Sequence, residues 1–117
     1  MGEKSPVFIK MNKYTPNQTK NIIKNRALFK VGSKFNSYDV NLNEDEKHDK
    51  KIRDLFFEMR RLGMYLAVRQ PLINGNVPDI AVLSSEKLIV KEVMLSESDK
   101  RFQEKDYLGA TKIKVRI

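Results

Sequence analysis

The sequence predicts an α/β domain: a mixed sheet of about four strands flanked by helices, with a basic extension at its start. Three observations carry this reading. Residues 43–62 repeat apolar side chains at helical spacing, residues 64–94 hold three short β-prone runs, and residues 112–117 alternate strictly between cationic and aliphatic side chains. A chain of 117 residues has room for one core of this size, not two.

Residues 1–40 are rich in Lys and Asn and weakly periodic, and form either a basic arm or an extra layer on a body spanning 41–117. Within them, residues 17–31 can form a short helix with Ile22, Ile23, Arg26 and Phe29 on one side and Gly32 closing it. In the body, Asn43 is a fitting N-cap, and Glu44, Asp45 and Glu46 fill the first turn, where the helix dipole favours acids. Ile52, Leu55, Phe56, Met59 and Leu62 make its apolar face, and Gly63 stops it. Strands are expected at Met64–Gln70, Val77–Leu83 and Leu88–Met94. A turn at 71–76 follows the first, and the four-residue loop 84–87 joins the last two as a hairpin. Ser96 and Asp99 form a capping box for a second helix running to about Leu108, with Gly109 ending it. The last strand, 112–117, places Ile113, Val115 and Ile117 on one face.

Composition narrows the chemistry. With no cysteine, disulfides, thiolate metal sites and cysteine nucleophiles are excluded, and the single histidine, His48, excludes sites needing two imidazoles. No apolar run approaches the roughly 20 residues that span a bilayer, and residues 1–10 lack the apolar stretch of a signal peptide, so a cytoplasmic protein without a membrane partner is expected. The net charge is +8. Residues 1–40 hold eight Lys or Arg against Glu3 and Asp39, and residues 41–117 hold fifteen against thirteen acids. A basic arm on a nearly balanced body suits a polyanion, most simply nucleic acid. The bias towards Lys, Asn and Ile hints at an AT-rich genome, such as that of a virus or mobile element.

The hairpin carries the chemical argument. A four-residue loop sets Leu83 opposite Leu88, so paired residue numbers sum to 171 and Asp79 falls opposite Glu92. Side chains alternate along strands, so Val77, Asp79, Ala81 and Leu83 share a face with Leu88, Val90, Glu92 and Met94. Two carboxylates about 4.5–5.5 Å apart at Cβ on an apolar surface repel unless a proton or a cation lies between them. Magnesium and manganese are the cations suited to few carboxylates completed by water and phosphate. The residues alone also admit an ordinary strand-entry Pro-Asp, with Glu92 paired to a lysine (Lys87, Lys91 or Lys112) on a wet face.

Pro78-Asp79, a hairpin, then Glu92-Val93 after an apolar run resembles the PD-(D/E)XK nuclease superfamily over about residues 43–117. The resemblance implies a restriction-endonuclease-like core with Mg2+ or Mn2+ held by Asp79, Glu92 and the Val93 carbonyl. It implies an endonuclease whose expected substrate is DNA, with RNA the alternative, in a superfamily whose members often act as homodimers. The motif lysine, two residues past the glutamate, is replaced by Met94. Lys105 on the next helix is the candidate replacement, since Phe102 directs that helix inward; Lys91 faces the wrong side of the sheet. The resemblance also implies a histidine or acid on the first helix at the metal or its water: His48 is the candidate further metal ligand, with Asp49 and Gln70 as accessory residues. Arg26, Lys30, Lys34 and Arg69 are candidate phosphate contacts, lending affinity without sequence choice. Met94 keeps a second reading open, a nuclease-like binding or interaction module that does not cut. A third is a small partner protein in which Asp79 and Glu92 are ordinary surface residues.

Overall fold

The computed structural model describes residues 13–94 and 99–117. It is an α/β arrangement: helices α1 (Pro16–Arg26) and α2 (Glu46–Arg61), strands β1 (Leu66–Val68), β2 (Ile80–Val82) and β3 (Ile89–Met94), helix α3 (Asp99–Glu104) and strand β4 (Thr111–Arg116). The sheet runs β1-β2-β3-β4. The first two pairings are antiparallel and the last is parallel.

The sheet has a core on each face. On one, Ala67, Ala81, Leu83, Leu88 and Val90 meet Ile22, Phe29, Leu72 and Tyr107. On the other, Leu66, Val68, Ile80, Val82 and Val93 meet Ile52, Phe56 and Met59 of α2. The residues around α1 therefore form a layer on the first face and α2 covers the second. No helix of the described residues is long and apolar enough to cross a membrane.

Several boundaries differ from the sequence expectation, each for a local reason. Helix α1 ends at Arg26, not near Gly32, with Thr15 and Gln18 forming a capping box at its start. Ile23 faces solvent, while Phe29 leaves the helix to bridge Leu72. Helix α2 begins after Asp45, not Asn43, because the Asp45 carboxylate accepts the backbone N–H groups of Lys47 and His48. The strands β1 and β2 keep only three residues each. Strand β1 stops at Arg69, whose φ of 53° breaks the extended run, and Val77 stays exposed outside β2. Helix α3 ends at Glu104 instead of Leu108. The Lys112 ammonium donates to the carbonyls of Phe102, Gln103 and Lys105 and so caps it early, and Leu108 takes a φ of 58°. The Ser96–Asp99 capping box lies outside the described residues.

Candidate functional site

The hairpin register is the one expected. Ile80 pairs with Lys91, Ala81 with Val90 and Val82 with Ile89, each summing to 171. Asp79 lies one residue before β2 and opposite Glu92, and the two ends are cross-tied. The Asp79 N–H donates to Glu92 Oε2 at 2.8 Å, and the Val93 N–H donates to Asp79 Oδ2 at 2.9 Å. Buried Pro78 leads the chain into this position. Each carboxylate thus completes the other strand's main chain, beyond where the ladder's own bonds stop.

Lys105 arrives from just past α3. Its Nζ stands 3.0 Å from Glu92 Oε1, and the buried Tyr107 hydroxyl donates to the same oxygen at 2.7 Å. Asn74 and Asn76 both donate to the Asp106 carbonyl, tying the loop before Asp79 to the segment that carries Lys105. Beside Lys105 lies an open cleft of about 350 Å³ lined by Asn76, Arg101, Glu104 and Asp106. Met94, two residues past Glu92, is buried in the core.

His48 enters from the opposite face. Its Nε2 lies 2.7 Å from the Val93 carbonyl and 3.4 Å from Asp79 Oδ2, and its Nδ1 lies 2.7 Å from Glu44 Oε1. Both ring nitrogens face acceptors, an arrangement that favours the doubly protonated ring. Burial alone would lower its pKa. The hydrogen bond to Glu44 and the charges of Asp79 and Glu44 outweigh that and raise it.

Asp79 shifts the other way from an ordinary carboxyl. Burial first, then the charge of Glu92, push its pKa up to about 6, and the Val93 N–H and His48 only partly offset this. Burial and Glu92 therefore favour a proton or a cation on Asp79 even with His48 and Lys105 beside the pair. Two carboxylates with spare lone pairs and a backbone carbonyl suit a hard divalent cation in their donor chemistry. The His48 ring holds the Val93 carbonyl, however, and no group of three or more acids and histidines among the described residues is disposed around one metal position. A cation using that carbonyl shares it with the ring, taking the second lone pair of the oxygen.

The remaining candidates fall elsewhere. Asp49 accepts from the Tyr38 hydroxyl, Asn41 N–H and Arg69 Nη2, and makes no contact with the Asp79–Glu92 pair. Gln70 is engaged with the backbone of Lys34 and Val68. Arg69, expected at a phosphate, binds Glu44 and Asp49 and lies over Tyr38. Arg26 stacks on Phe35 and donates to the Tyr65 hydroxyl. Lys30 and Lys34 are exposed, Lys34 at 3.9 Å from an equally exposed Asp39.

Glu44 and Tyr107 are contacts that sequence reasoning did not bring to the site, and Lys112, offered there as a partner of Glu92, instead donates to the carbonyls at the end of α3. Glu44 was assigned to a helix first turn, although its spacing of four from His48 was the available signal. Tyr107 carried only the signal of an aromatic side chain before a glycine turn.

Comparison with family models, with curated proteins and with solved structures gave no match to this chain.

Proposed function

We propose that this chain is a divalent-metal-dependent endonuclease of the PD-(D/E)XK kind, acting on DNA or RNA. The observation that carries the reading is the convergence of Asp79, Glu92 and Lys105, with Lys105 Nζ 3.0 Å from Glu92 Oε1 although it lies thirteen residues along the chain. A lysine at that point in space answers the loss of the motif lysine to Met94. The mixed order of the sheet, with an antiparallel hairpin followed by a parallel strand, agrees with a restriction-endonuclease-like core.

Asp79, Glu92 and the Val93 carbonyl are the groups that would hold Mg2+ or Mn2+. When bound, such an ion supplies Lewis-acid polarisation of a phosphoryl oxygen and a more acidic water. Lys105 places a cation where charge grows on the scissile phosphate, or orients the attacking water. The Tyr107 hydroxyl keeps Glu92 Oε1 aimed into the site. The cleft beside Lys105 offers room for the flanking nucleotide.

The second reading, a binding module that does not cut, draws on one observation: the His48 ring sits against the Val93 carbonyl where a metal ligand is needed. One experiment separates the two. Labelled single-stranded, double-stranded and branched DNA, and RNA, are incubated with protein in Mn2+, Mg2+ or EDTA, beside D79A, E92A and K105A. Metal-requiring cleavage lost in D79A and E92A, and reduced about a hundredfold or more in K105A, supports the endonuclease. Binding that ignores EDTA, with no cleavage of any substrate, supports the module and removes catalysis.

A further inference from the structure

The contacts around His48 close into a ring. The Arg69 N–H donates to the Asp79 carbonyl at 3.1 Å. The Arg69 side chain grips Glu44 at both oxygens, Nη2 to Oε1 at 2.8 Å and Nε to Oε2 at 3.3 Å. Glu44 Oε1 meets His48 Nδ1 at 2.7 Å, and His48 Nε2 returns to the Val93 carbonyl and to Asp79. All four side chains of the ring, Arg69, Glu44, His48 and Asp79, are less than a fifth exposed.

We propose that Glu44, clamped by Arg69, is a positioning residue that sets the His48 ring against the Asp79–Val93 end of the site. The inference rests on the endonuclease reading for its catalytic consequence, though not for its geometry. An imidazole has two faces to offer. With a carboxylate at Nδ1, Nε2 must point at the Val93 carbonyl. Turned over, the ring would set a carbon against that carbonyl and lose both bonds.

Glu44 stands one residue before the cap of α2, where its own backbone does not fix the side chain. Arg69 supplies the fixing. Its planar fork matches a carboxylate bidentately, as a lysine would not. Its left-handed backbone is uncommon for a large side chain and turns the guanidinium from the end of β1 towards the start of α2. Asp49, in the first turn of α2, accepts from the same Nη2 at 2.7 Å, so the arginine is held from both sides of the α2 cap. Buried ion pairs of this kind contribute little net stability compared with apolar packing of the same volume. Placement of His48 is what this set provides.

The test uses the fact that His48 is the only histidine in the chain, so its ring protons give one unambiguous set of NMR signals. In EDTA at neutral pH, the wild type and E44Q show ring N–H protons protected from exchange, since an amide oxygen still accepts from Nδ1. E44A loses that protection while its circular dichroism stays native. On the cleaved substrate, E44A lowers kcat about ten- to a hundredfold with KM within about twofold, as expected of a misplaced group. E44Q recovers most of the loss, and R69K falls between them. Protected ring protons in folded E44A overturn the proposal, as does their loss with kcat unchanged. Should the wild type cleave nothing, the endonuclease reading falls, while the exchange measurement still decides whether Glu44 places the ring.

Discussion

At Asp79, burial and the charge of Glu92 act in the same direction, and the pKa stands near 6 instead of 3.8. The folded state then holds a proton that the unfolded state has lost. Between these two values the native chain binds more protons, so its stability falls as pH rises through the window and stays lower above it. At full effect this is about 1–3 kcal/mol at pH 8 without metal, allowing for partial exposure of the side chain. In EDTA, Asp79→Asn is therefore more stable than wild type by that amount at pH 8, with the difference gone near pH 4, and on the endonuclease proposal it loses metal-dependent cleavage. Urea unfolding at the two pH values measures it. A less stable variant at pH 8 would mean that His48 and the Val93 N–H already compensate the charge. Asp79 and Glu92 were legible as a pair because a strand's period of two and a loop of fixed length make opposition a matter of counting. Arg69 was not legible as a structural clamp. Its partners Glu44 and Asp49 lie 25 and 20 residues away, and nothing local announces a left-handed arginine.

Among the elements, α2 was legible because sixteen residues give several turns of periodic signal. The hairpin register was legible from its loop. The short pieces were not, since three-residue strands and a six-residue helix are fixed by what touches them. Helix α3 illustrates this. Its end is set by Lys112 on β4, reaching three carbonyls at 2.9–3.0 Å. Sequence reading allowed Lys112 a role beside Glu92. The structure instead has it hold the carbonyl of Lys105, the residue whose ammonium meets Glu92. Lys112→Met keeps the aliphatic stem and removes the donors. The expected result is a native circular dichroism spectrum, a Tm lower by a few degrees, and cleavage reduced about ten- to a hundredfold through the displaced Lys105. Unchanged cleavage would show that Asn74 and Asn76 alone fix the segment through Asp106.

For the whole molecule, charge is the property most visible in sequence and least determined by it. The total of +8 is certain, but which cations are available to a polyanion depends on the fold. Arg26 and Arg69 looked equivalent to Lys30 and Lys34 along the chain. In the structure both arginines are engaged internally, Arg26 on Phe35 and Tyr65, Arg69 on Glu44 and Asp49, whereas both lysines face solvent. The Lys34–Asp39 contact at 3.9 Å is too exposed to withdraw that lysine. Each phosphate neutralised releases counterions, and the logarithm of the affinity falls with the logarithm of salt by about 0.9 per phosphate on duplex DNA. Lys30→Ala and Lys34→Ala should each weaken DNA binding a few-fold on any sequence and reduce the salt slope by about one. Arg26→Ala should leave the slope unchanged and lower the urea midpoint, because it removes a stacked and hydrogen-bonded core contact. Titrations of labelled DNA at salt concentrations from about 50 to 200 mM, in EDTA, separate the two behaviours. A slope indifferent to both lysines would move the DNA track away from this layer, and a slope near zero for the wild type would exclude a nucleic-acid backbone as the partner.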